Sequence, residues 1–237
     1  MIKFEITEDC PELHNSPMFR AAQKTLAYVA EHGEIGLTAT KAFKRTFVHW
    51  AAEAFDWPGM GHDELFAMNK VLNEYEFPPL EMLHYLLLET KLGRRYKNTF
   101  RLSTKGKERV SDPAALFMEI IPFYLFRIDH GAFSRFDDTP IGNWDVWLNV
   151  INVEADGGAR EGDLFAAFYG PSENADNWRE QMMFASSVLD PLVWSGLLIE
   201  VRPPKGKRED SEYFKTPLWR KALTLDTDNA LMPRSEH

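Results

Sequence analysis

Two stretches of the chain pass through the same succession of signals, KLGRRYKNTFRLSTKGKERV at 91–110 and SGLLIEVRPPKGKREDSEYFKTPLWRKAL at 195–223. Each leaves a helix through a small residue with Gly or Leu and continues as a strand. Each then turns over basic residues, returns as a strand and reaches Thr before a short helix. The recurrence predicts one arrangement of helices and hairpin used twice in 237 residues. That length accommodates one large domain or two small ones, and either can bury a core.

Caps and apolar spacing mark the helices ahead of the first hairpin. Ser16 caps and Pro17 opens a helix that Gly33 ends, with Phe19, Ala22, Leu26 and Val29 on one face. A short strand at 35–37 leads to a second helix over about 40–55, striped by Phe43, Phe47 and Trp50 and broken at Trp57-Pro58-Gly59. Residues 63–73 read as a third helical piece, and Pro78-Pro79 opens a leucine-rich helix before Gly93. Arg94–Tyr96 and Phe100–Leu102 pair across Lys97-Asn98. The helix at 111–126 is apolar on nearly all sides, which predicts burial. Helices at 141–155, 162–168 and 174–194, the last interrupted near Pro191, precede the second hairpin. Its strands are expected at 196–201 and 213–215, with a last helix at 219–223 and a strand at the start of the chain, 2–6.

The order helix, short strand, helix, helix, hairpin is carried by GEIGLTAT (33–40), the Pro-Pro helix and GRRYKNTFRLSTKGKERV. It resembles the order of winged-helix domains, and Leu-Gly-Arg-Arg, strand, Leu-Ser-Thr-Lys-Gly resembles their third helix and wing. The first part is also similar to helical tails of some plasmid-encoded open-reading-frame proteins of unassigned role. The resemblance covers roughly 17–110. It implies a fold rather than an activity. The expected fold class is mainly α with small β-hairpins (α+β). A first winged-helix-like module at 1–110, a connecting buried helix at 111–128 and a second module at 129–237 make up the architecture. A single all-helical domain with two incidental hairpins is the alternative.

Charge divides the chain. The net charge is −9, yet residues 1–110 hold fifteen Lys and Arg against fifteen Asp and Glu, so the remainder carries the whole excess. Within the neutral part, eight basic residues and Glu108 alone on the acidic side fall in 90–110. The candidate nucleic-acid-binding residues are Lys91, Arg94, Arg95, Lys97, Arg101, Lys105 and Lys107, because phosphate neutralisation supplies much of nucleic-acid affinity. Against that reading stands the preceding helical segment, 73–91, which offers Glu74, Glu76, Glu81 and Glu89 where a base reader needs donors. The same basic segment could instead pair with the acidic C-terminal half, within one molecule or between subunits. In the second hairpin Arg202, Lys205, Lys207 and Arg208 lie among Glu200, Glu209, Asp210 and Glu212, the composition of a solvated turn.

Other candidates reduce to structure. Cys10 is alone, so neither a disulfide framework nor a cysteine metal site is expected. No run is long and apolar enough for a membrane span and the first residues lack a leader pattern, so the expected location is cytoplasmic with no membrane partner. His62-Asp63-Glu64, Asp129-His130 and Asp137-Asp138 read as helix-capping polar starts rather than metal or acid–base sets. Trp50, Trp144, Trp147 and Trp194 lie on apolar stripes and are assigned to the core. Trp57, Trp178 and Trp219 sit at segment ends, where exposure would mark a partner surface. With no phosphate-binding Gly loop, His-x-x-x-His pair or nucleophile elbow, no catalytic, metal or cofactor site is expected. The leading reading is a non-enzymatic interaction protein that binds a protein partner or itself. The alternative is a DNA-binding or transcription-regulatory protein that contacts phosphates through the first wing, and a small-molecule enzyme ranks third.

Overall fold

The computed structural model of the chain describes residues 2–133, 139–171, 178–203 and 208–231. It is mainly helical, with three small antiparallel sheets. Two compact units divide the chain, one formed by Thr7–Tyr124 and the other by the residues on either side of it. Strand β1 (Lys3–Phe4) belongs to the second unit.

In the first unit α1 (Pro17–His32) begins where expected: Ser16 Oγ accepts the Phe19 N–H at 3.1 Å, and Gly33 ends the helix at φ 84°. Strand β2 (Ile35–Gly36) follows. The next helix, α2 (Arg45–Ala54), starts five residues later than its sequence pattern suggests. Residues 38–43 are held instead in a turn, in which Thr38 N–H donates to Ala42 O at 2.8 Å and Lys41 takes a φ of 69°. Helix α3 (His62–Met68) also stops early, and a 3₁₀ turn at Glu74–Glu76 leads into α4 (Pro78–Glu89). Strands β3 (Gly93–Tyr96) and β4 (Thr99–Leu102) form the hairpin, and α5 (Thr104–Arg109) leaves it. The sheet order is β2-β4-β3. Its inner face meets a core of Phe19, Phe43, Phe47, Phe77, Phe100 and Leu83, all buried. Gly93 is required here by space, since a Cβ would stand 2.0 Å from the Phe100 ring.

The division between units falls inside α6 (Pro113–Arg127), whose Leu116, Phe117, Ile120, Ile121, Tyr124 and Leu125 are buried. The second unit then repeats the earlier order with α7 (Trp144–Glu154), β5 (Ala159–Arg160) and α8 (Glu161–Tyr169). Helix α9 (Trp178–Phe184) runs through a π turn at Ala185–Leu189 into α10 (Asp190–Trp194). The irregularity lies just before Pro191 rather than after it. Pro191 has no N–H to offer the Ser187 carbonyl four residues back and its ring needs room there, which the wider π turn supplies. The expected helical start at 174–177 lies outside the described residues. Strands β6 (Leu198–Val201) and β7 (Glu212–Lys215) form the second hairpin, followed by α11 (Pro217–Ala222) and β8 (Leu223–Thr224), which pairs with β1.

The two three-stranded sheets agree in register. Ile35 pairs with Phe100 as Ala159 pairs with Tyr213, and Gly93 pairs with Leu102 as Leu198 pairs with Lys215. The roots match bond for bond. Ser103 N–H donates to Leu92 O and its Oγ donates to Lys91 O at 2.6 Å, while Thr216 N–H donates to Leu197 O and its Oγ1 donates to Gly196 O at 2.6 Å. Lys91 and Gly196, at φ 59° and 78°, make the same left-handed exit from their helices.

Among the tryptophans, Trp57 and Trp219 are buried despite lying at segment ends, and Trp178 is 57% exposed. Among the described residues no helix is long and apolar enough to cross a membrane.

Candidate nucleic-acid interface

The basic residues of the segment 91–109 separate into four groups once their partners are known. Arg94, Arg95 and Lys97 project into solvent with no acidic partner among the described residues. Lys97 holds the tip of the turn at φ 54°. Arg101 turns back instead: its Nε lies 2.8 Å from Glu34 Oε2, and Nη2 reaches the same oxygen. Both side chains are about 40% exposed, so this pair is worth at most ~1 kcal/mol. Lys105 Nζ lies 2.5 Å from Glu119 Oε2, with Arg109 Nε 2.9 Å from Oε1, and these two cations are held against α6. The side chains of Lys91 and Lys107 are exposed, on the exit from α4 and on α5.

The face of α4 differs from its sequence reading. Glu74 is buried: one oxygen lies 2.6 Å from His84 Nδ1 and the other accepts the Phe43 backbone N–H. His84 stacks on the Phe43 ring at 3.9 Å, and its Nε2 has no hydrogen-bond partner among the described residues. Glu76 accepts the Asn73 N–H at 2.6 Å in a capping box. Only Glu81 and Glu89, with Pro78 and Tyr85, remain exposed along α4. The Glu81 carboxyl sits above its usual range, through partial burial first and the Glu74 charge second, with His84 opposing. Of the four carboxylates counted against nucleic acid, Glu74 is therefore buried and Glu76 is half-buried and engaged in the cap.

The second hairpin treats its charges in the opposite way. Arg202 donates from Nε and Nη2 to the two oxygens of Glu200 at 2.8 and 2.9 Å. Arg208 reaches Asp190 at 2.5 Å and Glu161 at 3.4 Å, and buried Tyr213 donates its hydroxyl to Glu161 at 3.0 Å. Burial raises Glu161 and Asp190 above the carboxylate range, with Arg208 opposing in both. Burial also raises the Tyr213 hydroxyl, and the Glu161 charge adds to it. For Glu200 burial acts upward too, but Arg202 and Ser211 outweigh it and lower the carboxyl. Lys205 and Lys207 lie outside the described residues, as do Asp137 and Asp138. Neither Glu161 nor Asp190 had a signal in the sequence, since each lies far along the chain from Arg208. Positions that carry Arg94 and Tyr96 in the first sheet carry Ile199 and Val201 in the second, 52% and 49% exposed.

No group of three or more His, Cys, Asp and Glu among the described residues is arranged to hold a metal ion. His62 lies 3.0 Å from Asp63 and 3.9 Å from Glu53, both largely exposed.

These features define a two-domain, mainly helical protein whose halves each carry a three-stranded sheet with a projecting hairpin. Residues 14–115 match the Y4jL N-terminal domain and residues 134–217 the y4jL C-terminal domain. The chain is 39% identical over 163 residues to the uncharacterized protein y4jL of Sinorhizobium fredii (strain NBRC 101917 / NGR234), covering 67% of this chain and 72% of that one. It belongs to the Y4jL family. No solved structure matches.

Proposed function

We propose that both halves are winged-helix modules and that the first binds nucleic acid through its wing, with Arg94, Arg95 and Lys97 contacting phosphates. The observation that carries this reading is the exposure of these three cations on a hairpin whose root is locked by Phe100, Gly93 and Ser103. A projecting hairpin of this kind meets a backbone without base-specific contacts. With Glu74 buried and Glu76 engaged in a cap, the segment opposes a polyanion chiefly through the exposed carboxylates Glu81 and Glu89 of α4. It still lacks base-reading donors, so binding is expected to be weakly sequence-dependent.

Binding of random-sequence DNA followed against salt concentration tests this. Wild-type protein binds at low salt, and Arg94→Ala/Arg95→Ala/Lys97→Ala loses most of the salt slope. Absence of binding at low salt removes the proposal, and an unchanged slope in the variant moves the footprint off this wing.

A second reading, a protein partner for the second module, is favoured by exposed Ile199 and Val201 on the equivalent sheet face. Light scattering and a partner pull-down address it: a strict monomer that retains no partner counts against it.

A further inference from the structure

The outer face of the first sheet extends beyond the hairpin. Strand pairing sets Gly36, Thr99 and Tyr96 in one row across β2, β4 and β3, with Arg101 and Arg94 side by side in the next. Phe100 and Leu102 point the other way, into the core. Because Gly36 has no side chain, Lys44 lies across it: a Cβ there would stand 2.9 Å from Lys44 Cδ and 3.5 Å from Nζ. Lys41 reaches the turn, its Nζ 3.1 Å from Asn98 Oδ1 and 3.4 Å from Lys97 O. The Tyr96 ring is 41% exposed amid cations, with Arg101 4.7 Å, Lys97 5.5 Å and Arg94 5.8 Å from its centroid. Glu34, beside this face, is engaged by Arg101.

We infer that this sheet face is a platform for single-stranded nucleic acid, with a base on Tyr96 and phosphates on Lys41, Lys44, Arg94 and Lys97. The inference rests on the nucleic-acid reading of the first wing and names its ligand. A duplex keeps its base faces stacked and offers a wing only phosphates and groove edges, so an exposed tyrosine among cations gains little from it. A single strand presents a base face and a phosphate at every step, and aromatic rings set in a basic groove are the chemistry that holds it. With strands ~4.8 Å apart, the Lys44 and Arg94 margins of the face lie about 10 Å apart, on either side of the β4 row. The charge of the face complements a polyanion, and α4 adds nothing that would read a major groove.

Fluorescence anisotropy on the intact protein distinguishes the outcomes, using a labelled oligothymidylate, the matching oligouridylate, and the DNA strand annealed to its complement. Single strands bind more tightly than the duplex at equal salt. Tyr96→Ala weakens single-strand binding about tenfold and leaves duplex binding unchanged, whereas Tyr96→Phe keeps wild-type affinity. Lys41→Gln/Lys44→Gln lowers the single-strand salt slope by about 1. Equal affinity for duplex and single strand, with Tyr96→Ala silent, overturns the platform and leaves the phosphate-binding wing standing. No binding of any probe at low salt overturns both.

Discussion

At their roots the two hairpins are built alike: the helix exits at Lys91 and Gly196, the Ser103 and Thr216 hydroxyl bonds and the strand registers coincide. Past the roots they part. The first turns over Lys97-Asn98, too short to carry a cation back to the body of its unit. The second has a long connection, 202–211, and that length lets Arg208 return to Glu161 and Asp190. The cations of the two hairpins thus serve opposite ends. In the first, Arg94, Arg95 and Lys97 remain available to a ligand, and in the second Arg202 and Arg208 neutralise carboxylates that the fold has wholly or partly buried. Turn length, rather than the count of basic residues, decides which.

The sharpest way to break this comparison is Arg208→Ala. It leaves Glu161 and Asp190 without their cation, and the second unit should lose about 3–5 kcal/mol of stability in denaturant unfolding. Arg95→Ala, on the first hairpin, should stay within about 0.5 kcal/mol. Similar losses from both would mean that the two turns do not differ in role. On the binding side, the triple alanine variant of the first wing should lose roughly 3 from the salt slope for DNA. Arg202→Ala should lose nothing, and a matching drop would place nucleic acid on both hairpins.

Tyr213 and Phe100 occupy equivalent sheet positions, and only Tyr213 has an acceptor. Tyr213→Phe should cost about 1–2 kcal/mol in thermal or denaturant unfolding, and a neutral result would remove the hydroxyl from the network. The smallest effect concerns Asp156, whose carboxyl is lowered by the Lys215 hydrogen bond at 2.7 Å, with burial opposing and the Lys215 and Arg220 charges adding to the bond. A carboxyl lowered on folding adds stability above its unfolded value of 3.8, and that stability is lost as pH falls from there through the folded value. Asp156→Asn should therefore flatten the melting temperature profile below about pH 4, and an unchanged acid limb would exclude this pair as its source.

Much of the frame was legible in residue order. Ser16, Pro17 and Gly33 mark α1, and the hairpins announce themselves through strand-forming residues on either side of polar turns. The start of α2 was not, because the turn at Thr38–Phe43 is closed by pairing of Leu37 with Phe43 and by a lysine in a left-handed conformation, neither of which periodicity reports. The candidate site was legible in its charge and illegible in its partners. Lys41 and Lys44 sit some fifty residues from the wing, and no local pattern connects them with it.

By itself the sequence determined where helices cap, where strands turn and that the same order occurs twice, since these depend on neighbours within a few residues. Tertiary structure alone decided which charges meet water. Glu74 points to His84 and the Phe43 N–H, Arg101 to Glu34, and Arg208 to Glu161 and Asp190. Each pairing joins residues far enough apart in the chain that only the packed units bring them together. A charge whose partner is set by packing carries no mark of that partner in its own neighbourhood.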